Sequence, residues 1–383
     1  MKTDKCFSRF SLALGISLVL FAGVASAQWS SRGPAPRLGH SAVLDTAHNK
    51  MIVFGGYTSS NDSPTDAHFN DVWYLNSATS TNPNVTWQQA TVAAGPAPGA
   101  RAGHSAVLDT VNNRMIIFGG FEGFANPVEN DVWVLENANG MGGTPTWVQL
   151  SPSGTPPPAR SNHTAVYNPT TNRMIIFGGN DGGGLNGKIE FSDVWVLENA
   201  NGLGGTPTWI NSIAQDTSLI AARDSHTAVY DVANNRMTIF GGVNAFTGTL
   251  YSDTWVLFNA DDTQPSVCNG VGCMNGPLYT NIVPPPPARY GHTAFYDPKT
   301  DTMHIFGGVS SAGILNDYWV LTGANNLDGS WSRVSPTGTT PLPRYDHSAV
   351  YDSSNNRMVI FGGFTPQGLA TDTVAVLSDA NAL

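Results

Sequence analysis

The chain has 383 residues, of which only 12% are charged, and its formal net charge is −10 at neutral pH. Soluble proteins usually carry about 25% charged residues, whereas glycine (41 residues) and proline (25 residues) are abundant in this chain, which favours an all-β fold rich in turns. The acidic balance argues against a nucleic-acid partner, because phosphate backbones attract basic surfaces.

The first residues predict a signal peptide, residues 1–27. Lys2, Lys5 and Arg9 form a basic start, an apolar run follows over residues 10–24, and residues 25–27 (Ala-Ser-Ala) have the pattern that signal peptidase cleaves. The apolar run is shorter than the roughly 20 residues that a membrane helix needs. We therefore expect a secreted or periplasmic mature chain, residues 28–383, with no membrane span and a formal net charge of −12.

One phrase recurs six times, at spacings of 55 to 66 residues. Each copy begins with Arg-x-x-His, continues into a short apolar run and a polar turn, and reaches a second apolar run that ends in Phe-Gly-Gly. The arginine and histidine pairs are Arg37/His40, Arg101/His104, Arg160/His163, Arg223/His226, Arg289/His292 and Arg344/His347. The glycine pairs are Gly55/Gly56, Gly119/Gly120, Gly178/Gly179, Gly241/Gly242, Gly307/Gly308 and Gly362/Gly363.

Two tryptophans follow the glycine pair in most copies. The first, in Asp-x-Trp, is Trp73, Trp133, Trp195, Trp255 or Trp319, and the second is Trp87, Trp147, Trp209 or Trp331. Val, Ile, Phe, Tyr and Trp concentrate in four short segments per copy, bounded by Gly, Pro, Asn and Asp, so each copy predicts four β-strands. One such sheet cannot bury both of its faces alone, so neighbouring copies must pack on it.

The glycine pair, the two tryptophans and the repeat length resemble the kelch family, and the resemblance covers essentially the whole mature chain. It implies a six-bladed kelch β-propeller with four-stranded antiparallel blades around a central channel. The sixth copy lacks its final strand, whereas residues 28–31 (Gln-Trp-Ser-Ser) precede Arg37 as a second-tryptophan strand precedes each later arginine. We therefore expect the N-terminal strand to close the ring of a single domain, residues 28–383.

The fully repeated residues are interpreted as scaffold. One histidine per blade around an axis does not make the single asymmetric cluster that catalysis or metal binding needs, so no catalytic residue, metal ligand or cofactor is predicted. The repeated aspartates are candidates to pair with the repeated arginines. Asp261 and Asp262 match no calcium-loop spacing and are interpreted as a solvated turn.

Function is expected where the repeats differ. In such a blade, the loops between the second and third strands and the connections between blades emerge on one face, the loop face. The loops of blades 1 to 4 are longer, more aromatic and more acidic than those of blades 5 and 6, which suits a concave binding site, although tolerated insertions are the alternative. The predicted ligand-binding residues are Asp66, His68, Phe121, Glu122, Phe124, Glu129, Lys188, Glu190, Phe246 and Tyr251.

The cysteines predict one disulfide. Cys6 lies in the predicted signal peptide, which leaves Cys268 and Cys273 in the mature chain. Export favours oxidation, so we expect these two residues to close a short loop in blade 4.

The leading functional hypothesis is a non-enzymatic recognition module for an extracellular or periplasmic protein or glycan, because kelch propellers most often serve as binding platforms. The alternative is a carbohydrate-active enzyme. Galactose-oxidase-like proteins carry kelch propellers and a copper site, for which this chain offers no convincing set of ligands. Sugar-acid epimerases of this fold need no metal, and Glu122, Glu129 and Glu190 are the candidates for their acid–base pair.

Overall fold

The computed structural model describes residues 33–58, 66–81, 85–123, 128–182, 189–212, 220–262, 274–275, 285–325, 329–370 and 374–381. The regular structure in these ranges is β-sheet, without a helix. It follows that this part of the chain holds no helix long and apolar enough to cross a membrane. The prediction of an all-β fold is confirmed.

The strands fall into six groups that follow the six sequence repeats. Blade 1 comprises β1 (Ser41–Asp45), β2 (Lys50–Phe54), β3 (Val72–Asn76) and β4 (Thr86–Gln89). Blade 2 comprises β5 (Ser105–Asp109), β6 (Arg114–Phe121), β7 (Val128–Glu136) and β8 (Thr146–Leu150). Blade 3 comprises β9 (Thr164–Asn168), β10 (Arg173–Phe177), β11 (Val194–Glu198) and β12 (Thr208–Asn211). Blade 4 comprises β13 (Thr227–Asp231), β14 (Arg236–Phe240), β15 (Val243–Asn244), β16 (Thr249–Leu250), β17 (Thr254–Phe258) and β18 (Met274–Asn275). Blades 5 and 6 comprise β19 (Thr293–Asp297), β20 (Thr302–Phe306), β21 (Val309–Ser310), β22 (Gly313–Ile314), β23 (Tyr318–Thr322), β24 (Ser330–Val334); and β25 (Ser348–Asp352), β26 (Arg357–Phe361), β27 (Phe364–Thr365), β28 (Gly368–Leu369), β29 (Val374–Ser378).

The blades form a closed ring. Within each main sheet the strands are antiparallel neighbours in chain order, and the first strand of each blade contacts the first strands of both adjacent blades. At the seam between blades 6 and 1, Nε2 of His40 lies 2.8 Å from Oγ of Ser348. The amide of Gly39 also donates to the carbonyl of Asp346 across this seam (3.1 Å). The prediction of a six-bladed β-propeller is confirmed.

Burial between blades explains the apolar second strands. In β10, residues 174–177 are fully buried, since the sheets of the adjacent blades cover both faces of the strand. The second tryptophan of a blade lies against the phenylalanine of the preceding blade's Phe-Gly-Gly: the ring centroids of Trp209 and Phe118 are 5.1 Å apart. The same contact joins Trp87 to Phe361, Trp147 to Phe54 and Trp331 to Phe240. The tryptophans are therefore part of the inter-blade core.

Hydrogen bonds between side chains join the blades at the face opposite the loop face. Asn201 of blade 3 donates from Nδ2 to Oδ2 of Asp109 in blade 2 (2.6 Å). Between blades 3 and 4 the two residue types are exchanged, and Asn168 donates to Asp261 (2.8 Å). Asp261 is fully buried and also accepts a hydrogen bond from Thr171 (3.0 Å), so the interpretation of Asp261 as part of a solvated turn is wrong.

Blade 6 is the irregular blade. Its main sheet contains the described strands β25, β26 and β29, and β29 pairs with β26 along one edge. In blade 6, Ala375 pairs with Ile360 at the position where Trp133 pairs with Ile117 in blade 2. A cavity of about 230 Å³ lies beside Ala375. The predicted closing strand, residues 28–31, lies outside the described residues, as does the predicted disulfide between Cys268 and Cys273.

Closure by the N-terminal strand is a prediction that truncation can test. A chain without residues 28–36 is expected to lose about 2 kcal/mol of unfolding free energy and to melt several degrees lower, because the outer edge of β29 would lack a partner. The measurement is thermal unfolding followed by circular dichroism, with the chain that starts at Gln28 as the reference. An unchanged melting temperature would contradict the closure.

Candidate functional site

Five of the repeated arginines are fixed by a carboxylate of their own blade. In blade 3, Arg160 is fully buried and forms two hydrogen bonds with Asp193 (2.6 and 2.9 Å) and one with the carbonyl of Gly178 (2.9 Å). The Phe191 ring lies 4.3 Å from the guanidinium carbon, and the indole of Trp195 donates to the same carboxylate (2.7 Å). The equivalent ion pairs are Arg37–Asp71, Arg101–Asp131, Arg223–Asp253 and Arg289–Asp317. These pairs belong to the scaffold.

In blade 6, the described partners of the repeated arginine are carbonyl groups. Arg344 is 4% exposed and donates to the carbonyl oxygens of Gly362 (3.0 Å) and Leu342 (3.2 Å). Burial lowers the pKa of Arg344. Among the described residues no carboxylate forms an ion pair with it, and residues 371–373, which precede β29 as the aspartates precede the third strand elsewhere, lie outside them.

The six repeated histidines join neighbouring blades. Nε2 of His104 lies 2.8 Å from Oγ of Ser41 in the preceding blade. The other pairs, at the same distance, are His40–Ser348, His163–Ser105, His226–Thr164, His292–Thr227 and His347–Thr293. Burial and the nearby arginines lower the pKa of all six histidines, to about 3 for His104, His226 and His347. These imidazoles are therefore neutral at physiological pH and have a structural role.

The residue before each histidine belongs to a circle of backbone hydrogen bonds around the central axis. The amide of each member donates to the carbonyl of the member in the preceding blade at 2.8–3.1 Å. The members are Gly39, Gly103, Asn162, Ser225, Gly291 and Asp346, and their φ angles lie between 49° and 63°. This left-handed conformation suits glycine and is tolerated by asparagine and aspartate. The axial circle lines a central cavity of about 160 Å³.

One side of the mouth above the axial circle is aromatic. The rings of Tyr57 and His68 are stacked at 5.4 Å, and Phe121 packs edge-on against both. On the other flank, Tyr345 packs against Phe364 (5.6 Å) and against Tyr290 (6.5 Å). Leu38 and Ala102 join the two flanks in one apolar cluster with Phe364. We call Tyr57, His68, Phe121, Tyr290, Tyr345 and Phe364 the aromatic arc; it spans blades 5, 6, 1 and 2.

The opposite side of the mouth is polar. Ser161 donates to the amide oxygen of Asn180 (3.3 Å), and Asn180 donates from Nδ2 to Asp224 (2.8 Å). Ser225, a member of the axial circle, donates to the other oxygen of Asp224 (2.7 Å). We call these four residues the polar arc; it spans blades 3 and 4. The mouth thus has two chemically different sides on a scaffold with sixfold repeats.

Comparison with known proteins agrees with this architecture. The family model described as the KLHDC2/KLHL20/DRC7 Kelch-repeats domain matches residues 22–141, 82–264 and 278–381. The chain belongs to the kelch-repeat family.

Two relatives and one solved structure cover much of the chain. Host cell factor 2 of Homo sapiens is 30% identical over 304 residues, which is 76% of this chain and 34% of that protein. F-box/kelch-repeat protein At1g51550 of Arabidopsis thaliana is 26% identical over 353 residues, 87% of this chain and 67% of that protein. The chain spans less than half the length of host cell factor 2. The solved structure of YjhT superposes with a TM-score of 0.59 at 15% identity, covering 91% of this chain and 99% of that one, and shows the fold alone.

Two of the predicted ligand-binding residues, His68 and Phe121, lie in the aromatic arc. Glu122 follows Phe121 and binds Arg101 (3.1 Å), so it joins the arginine scaffold of kelch blade 2. Burial and the neighbouring carboxylates, including Glu122, raise the pKa of Glu129. Asp66 is partly exposed in the same loop as His68.

The predicted residues of blades 3 and 4 are distributed over three environments. Tyr251 lies beneath the guanidinium of Arg223 at 4.1 Å, as Phe191 lies beneath its arginine, so its ring contributes to a kelch scaffold pair. Glu190 accepts a hydrogen bond from the amide of Ala245 (3.2 Å), which ties the two loops together. Phe246 is 75% exposed at the rim. Phe124 and Lys188 lie outside the described residues.

The prediction from the variable loops did not include most of the residues at the mouth. Apart from His68 and Ser225, each residue of the two arcs directly follows either a repeated arginine or a glycine pair. Asp224, Tyr290 and Tyr345 are examples of the first position, and Tyr57 and Asn180 are examples of the second. Isolated bridges pair these two positions within each blade. An alignment of the six kelch copies would have shown both positions to vary between aromatic and polar residues, and this variation is the available signal.

Proposed function

We propose that this protein is an exported recognition module that binds a segment of a partner protein at the mouth of the loop face. The observation that carries the proposal is the asymmetry of the mouth, where the aromatic arc faces the polar arc. Aromatic side chains supply large contact areas, and the polar groups fix the orientation of a bound segment. The family supports this role, since kelch propellers commonly act as interaction modules.

Exposed apolar side chains at the rim favour a protein over a glycan. Ile189 is 58% exposed in the loop of blade 3, and Phe246 is 75% exposed in the loop of blade 4. The hydrogen bond from the amide of Ala245 to Glu190 brings these two loops together. Neighbouring exposed apolar side chains on a soluble protein mark an interaction site, and a phenylalanine at such a rim is a suitable anchor for a partner chain.

Site-specific crosslinking tests the proposal. A photoreactive phenylalanine analogue replaces Phe246, and a second variant carries it at Met141, which is 59% exposed on the opposite face. In the extracellular and periplasmic fractions of the source cells, position 246 is expected to capture a defined protein that position 141 does not capture. The purified partner is then expected to bind the intact chain and to lose at least tenfold in affinity with Phe246→Ala, but not with Met141→Ala.

Two results would contradict the proposal. Equal crosslinking at both positions would show that the loop face has no preferred partner. A glycan-array signal that Tyr345→Ala abolishes, without any protein captured at position 246, would replace the protein with a glycan ligand.

A further inference from the structure

We propose that the mouth seats a basic side chain, lysine or arginine, of the partner segment beside Asp346, with Tyr290 and Tyr345 flanking it. This inference rests on the proposed function, because it names the chemistry that the mouth selects in its partner. It commits to a cationic group, which neither the family nor the repeat pattern assigns.

The position of Asp346 is the first argument. Asp346 belongs to the axial circle, and its side chain is partly exposed at the central cavity of about 160 Å³. Oδ1 of Asp346 lies beside Gly291, the member of the circle in the preceding blade. It is 2.7 Å from the position that a Cβ on Gly291 would occupy. The other polar side chains that line this cavity are the neutral Asn162 and Ser225 and the histidines, which burial keeps uncharged. Asp346 is therefore the one charged side chain among the described residues that line the cavity.

Two tyrosines border the same place. Tyr290 and Tyr345 immediately precede Gly291 and Asp346, and their rings meet edge-on at 6.5 Å. Burial raises the pKa of Tyr290, and the carboxylates of Asp346 and Asp224 raise it further, which places both carboxylates within electrostatic reach of the Tyr290 hydroxyl. Aromatic faces beside a carboxylate attract a cation, since the ring quadrupole and the negative charge act in the same direction.

The charges around the mouth give electrostatic complementarity with a basic partner. Asp224 adds a second carboxylate at the polar arc, where Asn180 and Ser225 bind it. The two lysines in the described part of the chain lie at the opposite face, Lys50 at the start of β2 and Lys299 in the turn before β20, and both bind backbone carbonyls. The repeated arginines of blades 1 to 5 form ion pairs with aspartates, and Arg344 of blade 6 donates to two carbonyl groups.

The repeat itself supplies a matched pair of variants. Asn162 occupies the position in blade 3 that Asp346 occupies in blade 6, with a φ of 54° against 49°. Its amide donates to Gly103 at 2.8 Å, as the amide of Asp346 donates to Gly291 at 2.9 Å. Asp346→Asn therefore places in blade 6 a residue that blade 3 already carries in the same conformation, and it is expected to leave the fold intact. Asn162→Asp is the reciprocal change, which adds a carboxylate on the opposite side of the circle.

The experiment selects ligands from a phage-displayed library of random dodecapeptides on the mature chain and measures the affinity of the selected peptides. Peptides that Phe246→Ala weakens are expected to contain a lysine or arginine. Asp346→Asn is expected to weaken these peptides at least tenfold, and replacement of their basic residue by alanine to weaken them equally. Asn162→Asp is expected to preserve or raise the affinity. Circular dichroism melting of each variant verifies that the fold is retained.

The outcomes separate the two proposals. Peptides that Phe246→Ala weakens, but that lack a basic residue or bind Asp346→Asn as tightly as the parent, would overturn the cationic site and leave the recognition function standing. Peptides that bind only at the opposite face, insensitive to both Phe246→Ala and Asp346→Asn but weakened by Met141→Ala, would overturn both proposals.

Discussion

Acidification from pH 7 to about pH 5 is expected to unfold this protein, because the histidines that join the blades must stay neutral in the folded state. Burial and the nearby arginines lower the pKa of all six histidines, to about 3 for three of them. In the unfolded chain a histidine titrates near 6.5. Below that pH the unfolded state binds protons that the folded state does not, so the free energy of unfolding falls with pH.

The size of the effect follows from the same linkage. A histidine whose pKa is 6.5 when unfolded and about 3 when folded removes about 2 kcal/mol of stability between pH 7 and pH 5. The three histidines with a pKa of about 3 together remove about 6 kcal/mol, and the other three act in the same direction. The total stability of a typical folded protein is about 5–15 kcal/mol. The aspartates with lowered pKa values, such as Asp109 and Asp193, act in the same direction, but their unfolded pKa near 3.9 confines their effect to lower pH.

Urea unfolding at pH 7, 6.5, 6 and 5.5 measures this dependence. The unfolding free energy is expected to fall as the pH is lowered. Below pH 6 the slope is expected to correspond to several more protons bound by the unfolded state than by the folded state. His104→Gln keeps an amide that can hydrogen-bond to Ser41 and removes one titrating group, so it is expected to reduce the slope by up to about 1.4 kcal/mol per pH unit. A slope that is unchanged in His104→Gln, or a parent protein equally stable at pH 5 and pH 7, would contradict the role of the histidines.

The architecture could be predicted from the sequence because each scaffold contact is made by a residue type that recurs. Arg160 pairs with Asp193, and His163 pairs with the hydroxyl of Ser105. Because equivalent pairs recur around the ring, the same residue types recur at the same positions of the repeats. The glycine pairs recur for a steric reason. A Cβ on Gly179 would stand 2.8 Å from the Cβ of His163, so the strand tolerates no side chain there.

The candidate site was less accessible because loop length and composition do not reveal which side chains face the axis. Tyr251 carries the aromatic signature of a binding residue, yet its ring lies against Arg223. Asp224 and Tyr345 directly follow the repeated arginine, within the most regular part of the repeat and outside the variable loops, yet they line the mouth. Asp261 is buried because it exchanges places with the asparagine of neighbouring blades, a pairing that only the contact between blades makes visible.

Loss of one arginine–aspartate pair is expected to be among the most damaging single substitutions. Arg160→Met removes the guanidinium and its hydrogen bonds and leaves the carboxylate of Asp193 and the carbonyl of Gly178 without their buried donor. Breaking a buried ion pair costs about 3–5 kcal/mol. Because the side chain of Asp193 is 32% exposed and water can partly solvate it, we expect about 2–4 kcal/mol for Arg160→Met.

Arg344→Met is the matched control, because Arg344 occupies the same repeat position and donates to the equivalent carbonyls, but forms no ion pair with a described carboxylate. It is expected to cost about 1–2 kcal/mol, the value of hydrogen bonds lost at buried carbonyls. Urea unfolding at pH 7 compares the two variants, and the difference between them isolates the ion pair. Equal losses would contradict this account. A double-mutant cycle of Arg344→Met with Asp372→Asn measures the coupling between Arg344 and this aspartate, since coupled residues give a non-additive sum.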